Sequence, residues 1–523
     1  MNKQVYFPVL IIIATVTFVI GIPAAELQTT AEITGFQELT RHGELMEYLR
    51  EVTASSKLVS MSSMGTSVED RDIPALFFTR DRTFGTKRTQ KPVVMIFCQQ
   101  HGNEPSGKEA ALILARELRD AQKHFLQSMD IILIPQMNPD GSEKDERRNA
   151  NDEDLNRSHV ALIEPETAAI HRVFREWMPE VTLDVHEYNA ITESWVDSGY
   201  VKDADEQLGG VTNVNISTEI MAFTRERMIP AVGAKLEAAG YTFHRYIVGS
   251  PFEDGRLRYS TTAINDGRQS LGIYNTFAFI LEGKRYGDVT NRLRRRTEAQ
   301  LAAMIAFLEV VAEHQKSILE ITREAREQLL RVPSMDPEDM IHIQMDYFPD
   351  STRPSVKFPI FNLHTWRPEI RDLTPFEPLV MPKKSIWKSH GYILAGGDEK
   401  IVNLLSRHMV IMFKLKQPIE VKVEGYRIVN FTTRHEEEME MENVDAHPFT
   451  ETKTLAAESI IIPINQPAGN LLPLMLEPHS SFSIVTEYSG RRDNFSEYVR
   501  VGEVYPIYRL MEPVDPNLLD PLW

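Results

Sequence analysis

The amino-acid sequence predicts an α/β fold, in which a mixed, largely parallel sheet is flanked by helices and followed by a smaller, mostly β C-terminal domain. Up to about residue 330, short apolar runs of strand length alternate with longer segments of helical periodicity. Beyond residue 333 prolines become frequent and the apolar runs favour strands. A chain of 523 residues also exceeds one ordinary core and suits two domains. We therefore predict an α/β domain over residues 26–332 and a mostly β accessory domain over residues 333–523.

Strands and helices alternate along the first domain, which favours a parallel sheet with helices on both faces. Strands are predicted at residues 73–78, 93–97, 131–135, 181–185 and 276–281, and helices at residues 43–53, 108–121, 164–178, 218–239 and 298–330. The tetrapeptide Asn138-Pro139-Asp140-Gly141 predicts a turn. In the second domain, strands are predicted at residues 419–423, 460–464 and 482–485, and one helix at residues 400–408.

Composition excludes one class of partner. The chain is 42% hydrophobic and 25% charged, as soluble globular proteins are. Its 57 basic and 75 acidic residues give a net charge of −18, and a field of that sign repels phosphate backbones. We therefore expect no nucleic-acid partner. Nothing in the composition indicates an oligomeric state.

The N-terminus has the pattern of a secretory signal. Lys3 precedes an apolar stretch over residues 5–25, and polar residues follow from Glu26 onward. We predict a signal peptide at residues 1–25 and a secreted or periplasmic bacterial protein without stable membrane insertion. Because about 20 apolar residues can span a bilayer, an uncleaved membrane anchor is the alternative. The single cysteine, Cys98, cannot form an internal disulfide and lies in an apolar run, which predicts a buried, inert thiol.

Two histidines and a glutamate follow predicted strands in a pattern that suits a metal ion. His101 and Glu104 form an H-x-x-E pair directly after the strand at residues 93–97, and His186 follows the strand at residues 181–185. In open α/β sheets ligands bind at the carboxyl ends of the strands, so these side chains are expected to meet there. Two His and one Glu leave the fourth tetrahedral position for water, as catalytic zinc sites require.

Further polar residues are expected at the same edge of the sheet. Glu282 ends the strand at residues 276–281, where it can either pair with a nearby basic residue or act as a general base. Arg147 and Arg157 lie in polar segments between the two metal motifs, and a guanidinium can hold a carboxylate through two hydrogen bonds. A solvated polar loop is the alternative interpretation of these segments.

Taken together, these motifs resemble the zinc carboxypeptidases of the carboxypeptidase A-like type, with an extra C-terminal domain as in secreted bacterial members. The resemblance covers about residues 36–315 and rests on the ordered set H-x-x-E, N-P-D-G, R-x-N and D-L-N-R, then His and Glu after later strands. It implies a carboxypeptidase-like fold, one zinc ion per chain and a peptide substrate. The site residues that it implies are His101, Glu104 and His186 as zinc ligands, Glu282 and Arg147 as catalytic groups, Asn156, Arg157 and Tyr259 as substrate-binding groups, and Asp154 as the partner of a ligand histidine.

Some positions depart from the family pattern. Asn103 stands where the family often has arginine, and Tyr259 matches the family's substrate-binding tyrosine only approximately. Asp266 and Arg268 are the polar residues that we associate with specificity for the released residue. An amidohydrolase acting on N-acyl amino acids or other small amides remains the alternative function, since such deacylases begin with a similar H-G-N-E motif.

Overall fold

The computed structural model describes residues 27–81, 89–252, 255–334, 339–394, 398–436, 439–488 and 495–522. The predicted signal peptide lies outside these residues. Among the described residues, no helix is both long enough and apolar enough to cross a bilayer.

A mixed sheet of eight strands forms the centre of the N-terminal part. Its central strands β4, β3, β5 and β11 are parallel, and the sheet order is β1-β2-β4-β3-β5-β11-β7-β8. The strands of this part are β1 (Val59–Thr66), β2 (Asp72–Phe78), β3 (Val93–Cys98), β4 (Asp130–Ile134), β5 (Val181–Asn189), β6 (Tyr200–Lys202), β7 (Glu206–Gly210), β8 (Phe243–Arg245), β9 (Ile247–Gly249), β10 (Leu257–Tyr259) and β11 (Phe277–Arg285). The predicted fold class is confirmed.

Helices cover the sheet because their apolar faces pack against its buried strands. The α-helices are α1 (Thr30–Ile33), α2 (His42–Ala54), α3 (Ser106–Arg119), α4 (Pro139–Lys144), α5 (Pro165–Trp177), α6 (Glu193–Asp197), α7 (Thr218–Phe223), α8 (Ile229–Ala238), α9 (Gly267–Gly272), α10 (Leu293–Leu329), α11 (Glu399–Arg407) and α12 (Leu471–Leu476). A π turn, Thr224–Met228, joins α7 to α8. Short 3-10 turns are Lys123–Gln127, Leu155–Arg157, Ser496–Tyr498 and Pro516–Leu518.

The C-terminal part is rich in antiparallel strands, as predicted. They are β12 (Met340–Phe348), β13 (Val356–Asn362), β14 (Arg367–Leu373), β15 (Phe376–Glu377), β16 (Leu379–Trp387), β17 (Gly391–Leu394), β18 (Phe413–Leu415), β19 (Ile419–Glu436), β20 (Met439–Leu455), β21 (Ile460–Pro463), β22 (Glu487–Tyr488), β23 (Ile507–Leu510) and β24 (Leu519–Pro521). Eight of them form a second sheet in the order β22-β20-β19-β23-β17-β21-β18-β24.

The two parts share strand pairs and a core. β13 pairs with β6, and β15 pairs with β10, so strands after residue 333 complete small sheets begun by the N-terminal part. One continuous cluster of buried apolar side chains extends from Leu45 to Ile507. The proposed division at residue 333 therefore stays a prediction.

Two local predictions were wrong. Asn138 does not begin an isolated turn but caps α4, where its side-chain oxygen accepts from the backbone N–H of Gly141. Residues 482–485 are buried yet form no strand, because this segment folds into turns through backbone bonds such as Ser483 N–H to Ser480 O. Cys98 is buried in β3, as expected.

Candidate active site

The carboxyl ends of the central parallel strands bring the predicted metal and catalytic residues together. His186 lies in β5 and Glu282 in β11, and the two are direct partners in the parallel pairing of these strands. His101 and Glu104 lie in the loop between β3 and α3. Strand β3 pairs with β5 on the side opposite β11. The predicted meeting of these side chains at one edge of the sheet is therefore observed.

His101, Glu104 and His186 form a compact, buried triad. One ligand atom from each lies within 4.8 Å of the other two. His101 Nδ1 is 2.9 Å from Glu104 Oε1, and His186 Nδ1 is 3.1 Å from Glu104 Oε2. The two Nδ1 atoms are themselves 3.1 Å apart. Tetrahedral zinc bonds imidazole nitrogen at about 2.0–2.1 Å, which separates two ligand atoms by about 3.3 Å.

The opposite ring nitrogens explain why this triad suits a cation. His101 Nε2 lies 3.1 Å from Asp154 Oδ1, and His186 Nε2 lies 2.8 Å from Asp184 Oδ1, the latter off the ring N–H axis. Carboxylates at these positions favour the proton on each Nε2, which leaves a lone pair on each Nδ1. Two lone pairs and a carboxylate then converge on one point, so the donor set fits a zinc ion.

Interactions from α10 and from the segment after β3 hold His186 in place. Gln300 in α10 donates to the backbone carbonyl of His186, at 2.8 Å. The neighbouring carboxylate of Glu187 is bound by buried Arg296, at 2.7 and 2.9 Å. Asp184 Oδ2, on the other side of His186, accepts from Gln100 Nε2 at 2.8 Å. None of these supports was identified from the sequence.

Position 267, at the start of α9, requires glycine because the side chains of Asp184 and Gln100 lie so close to its backbone. A Cβ atom at position 267 would lie 2.6 Å from Asp184 Oδ2 and 2.7 Å from Gln100 Nε2. Real Cβ atoms essentially never approach other atoms within 3.0 Å. The backbone N–H of Gly267 also donates to Asn156 Oδ1 at 2.8 Å, so α9 is joined to the predicted substrate-binding segment.

Arg147 reaches the triad from its exposed side. Its Nη1 lies 3.1 Å from His101 Nδ1 and 3.4 Å from Glu104 Oε1, while its Nε donates to Asp154 Oδ2 at 3.0 Å. Burial alone would raise the pKa of Asp154, but His101 and Arg147 hold that pKa well below its usual range. Its charged form is thus available both to His101 and to Arg147.

Glu282 is a buried carboxyl next to the triad. Burial raises the pKa of Glu282 to about 7, with the charge of Glu104 adding to the rise. The Tyr246 hydroxyl acts in the opposite direction and lowers the pKa of Glu282, while burial raises the pKa of this hydroxyl well above its usual range. Tyr246 lies between β8 and β9 and was not identified from the sequence.

The two predicted carboxylate-binding residues lie side by side but differ in surroundings. Arg157 is exposed, and its Nη1 donates to the backbone carbonyl of Asn156 at 2.8 Å. No described carboxylate forms an ion pair with it. Asn156 is buried, and its side chain contacts Gly267 N–H and, at 3.4 Å, His186 Nε2. Arg157 is thus free for an external anion, whereas Asn156 is already engaged.

Tyr259, the predicted substrate-binding tyrosine, packs against residues outside the triad. Its ring contacts Phe376 edge-on and lies under the Arg245 guanidinium, 3.5 Å from its centroid. No contact among the described residues joins Tyr259 to Glu282. Asp266 and Arg268 form a buried ion pair, with Arg268 Nη2 3.0 Å from Asp266 Oδ2. Both residues lie at the start of α9.

Comparisons with known sequences agree on one family. The sequence model of the zinc carboxypeptidase family matches residues 45–208. Carboxypeptidase 2 of Trichophyton rubrum is 23% identical over 482 residues, which cover 90% of this chain and 86% of that protein. Carboxypeptidase E of Caenorhabditis elegans is 33% identical over 108 residues, covering 19% of this chain and 21% of that protein.

Solved structures of carboxypeptidases are also similar to this chain. One is a metallo-carboxypeptidase from Pseudomonas aeruginosa, in complex with (2-guanidinoethylmercapto)succinic acid, with 17% identity and a TM-score of 0.39. The similarity covers 53% of this chain and 68% of that chain. Another is carboxypeptidase A from Helicoverpa armigera, with 17% identity, a TM-score of 0.42 and coverage of 54% and 75%.

Proposed function

We propose that this chain is a metallocarboxypeptidase of the zinc carboxypeptidase family, whose sequence model matches residues 45–208. In this proposal the chain holds one zinc ion through His101, Glu104 and His186 and removes C-terminal residues from peptides. The observation that carries the proposal is the convergence of His101 Nδ1, His186 Nδ1 and the Glu104 carboxylate beside Glu282. A structural histidine pair would not need a buried general base next to it.

When bound, zinc polarises the scissile carbonyl and lowers the pKa of water toward about 7. Glu282 accepts a proton from the attacking water and then delivers it to the leaving amine nitrogen. Its neighbour Tyr246 orients the carboxylate through a hydrogen bond. A fixed carboxylate of this kind contributes about 10²–10⁴-fold to the rate.

Arg147 and Arg157 have different roles in this proposal. Arg147, which already lies against His101 and Glu104, stabilises the negative charge that develops on the carbonyl oxygen. Arg157 binds the terminal carboxylate of the peptide, since it is exposed and pairs with no described carboxylate. Asn156 connects the proposed metal site to the proposed carboxylate-binding residue, because its side chain contacts His186 and its backbone carbonyl holds Arg157.

Several finer assignments belong to the same proposal. Residues 26–332 form the catalytic domain and residues 333–523 an accessory domain, although strand pairs join the two parts. Secretion is proposed through cleavage of residues 1–25. The fungal and nematode relatives do not support a bacterial source. Deacylation of N-acyl amino acids, the alternative from the sequence, is not favoured by these relatives.

The test is metal analysis together with product analysis. The purified enzyme is expected to contain one zinc per chain and to release single C-terminal amino acids from peptides, and a chelator should abolish the release. His186→Ala should lose the zinc, whereas the exposed His124→Ala should keep it. Stoichiometric zinc in His186→Ala, or cleavage only at internal bonds, would contradict the proposal.

A further inference from the structure

Arg268 is a buried cation with unused hydrogen-bond donors. It is 1% exposed, and its Nη2 donates to Asp266 Oδ2 at 3.0 Å and to Ser260 Oγ at 2.8 Å. Its Nε and Nη1 have no acceptor among the described residues. Since a guanidinium carries five N–H groups, three of them are unpaired. Buried unpaired donors of a charged group are costly, so an acceptor from outside the chain would stabilise them.

The position of Arg268 connects it to the proposed substrate side of the site. The preceding residue, Gly267, donates its backbone N–H to Asn156, whose carbonyl holds Arg157. The charges of Arg268 and Arg157 both lower the pKa of the Tyr246 hydroxyl. Arg268 is thus one residue along α9 from the backbone N–H that binds Asn156, in the proposed substrate-binding segment.

Asp266 does not compete for the unused donors of Arg268. Its Oδ1 accepts from the backbone N–H of Gln269 at 2.5 Å, and its Oδ2 binds only the Nη2 of Arg268. Ser260 and Asp266 thus fix the guanidinium and leave the rest of it for another group. A guanidinium that is held in advance loses little conformational freedom on binding a carboxylate.

Two further donor groups lie near Glu282, beside the buried Glu206, whose two carboxylate oxygens also lack a partner among the described residues. Lys202 lies over the rings of Tyr188 and Trp195, at 5.3 and 5.6 Å from their centroids, and forms no ion pair with a described carboxylate. Gln207, the direct partner of Glu282 in β7, has a buried amide nitrogen without an acceptor.

We propose that Arg268 binds the side-chain carboxylate of a C-terminal glutamate or aspartate, so that the enzyme prefers peptides with an acidic last residue. This inference rests on the proposed function, in which Arg157 takes the α-carboxylate. A second carboxylate is the group that matches the remaining guanidinium. A lysine side chain at the same place is repelled, and an apolar side chain leaves the three N–H groups unpaired.

The test uses the zinc-loaded, full-length enzyme and a peptide series that differs only in its last residue: Glu, Gln, Leu or Lys. The wild type should show its highest kcat/KM on the Glu peptide. Arg268→Met should lower kcat/KM for the Glu peptide by at least about 30-fold and change the Leu peptide by less than about threefold. Arg225→Met, which removes an exposed arginine paired with Glu226, is the matched control and should change neither.

Two results would overturn the inference alone. One is a wild type that releases Leu or Lys faster than Glu, and this result does not depend on any variant folding. The other is an equal loss on the Glu and Leu peptides in Arg268→Met when its zinc content is unchanged. Release of no residue from any peptide would instead overturn the proposed function, and this inference with it.

Discussion

Glu282 and His186 are direct neighbours in the parallel pairing of β11 with β5. Direct partners on adjacent strands point to the same face of a sheet, so the register places the buried carboxylate beside a proposed metal ligand. Glu282→Gln preserves the size of this side chain while removing its ability to accept a proton. We expect zinc content and thermal stability near those of the wild type and a loss in kcat of at least about 10²-fold. Activity within a few-fold of the wild type would mean that Glu282 is not the base.

The glycine at position 267 is expected to control metal affinity without contacting the metal. Gly267→Ala would place a Cβ atom against Asp184 and Gln100. Because Asp184 faces the far nitrogen of His186, its displacement should weaken zinc binding by about 10–100-fold. Competition with a chromophoric chelator measures this affinity. Gly43→Ala is the control, since nothing lies within 4 Å of its added Cβ. Equal affinities in the two variants would remove the proposed support for His186.

The structure distinguishes two tyrosines that the sequence could not. The Tyr246 hydroxyl lowers the pKa of Glu282, and we expect it to donate a hydrogen bond to this carboxyl, whereas Tyr259 packs against Phe376 and Arg245. A hydrogen bond to a charged group contributes about 1.5–3 kcal/mol, so Tyr246→Phe should lower kcat/KM by about 10- to 150-fold. Tyr259→Phe should stay within about threefold of the wild type. Steady-state kinetics on one peptide compares them, and the reverse order would restore Tyr259 to the role that the sequence suggested.

A buried carboxyl outside the site makes stability depend on pH. Burial raises the pKa of Glu166 to about 7, while its side chain accepts from Asn149 and Val68. The unfolded value is about 4.3, so between these values the folded state binds more protons and stability falls as pH rises. Glu166→Gln should remove this fall in the free energy of unfolding, which is on the order of 2 kcal/mol between pH 5 and pH 8. The Tm of the variant relative to the wild type should therefore rise over this interval. A constant Tm difference would show that Glu166 stays ionised in the folded protein.

The proposed metal ligands could be identified from the sequence because each of them follows an apolar strand in a recognisable motif. Ligands bind at the carboxyl ends of parallel strands, and the resemblance to zinc carboxypeptidases added the roles of His101, Glu104 and His186. Tyr246 and Gln300 could not be found in this way, because their contacts depend on how the β8–β9 connection and a long helix pack against the sheet.

The same limit applies to the C-terminal part of the fold. The sequence predicted its strands from apolar runs, but not that β13 and β15 would pair with strands from before residue 333. Such pairings join residues far apart in the chain, and short strands such as β6 and β15 carry almost no periodic signal. The strand prediction for residues 482–485 was wrong for a different reason: an apolar run is buried equally well without strand pairing.

The central claim is that this chain recognises a free C-terminus through Arg157, and a two-by-two comparison tests it most directly. Wild type and Arg157→Ala are assayed on paired peptides that end in a free acid or in an amide. Loss of one partner of a hydrogen-bonded charge pair costs about 2–5 kcal/mol, so kcat/KM for the free acid should fall by about 30- to several-thousand-fold. The amide should be a poor substrate for both enzymes and change little. Equal losses on the two peptides would contradict the account, because Arg157 would then be structural and the enzyme would not be an exopeptidase.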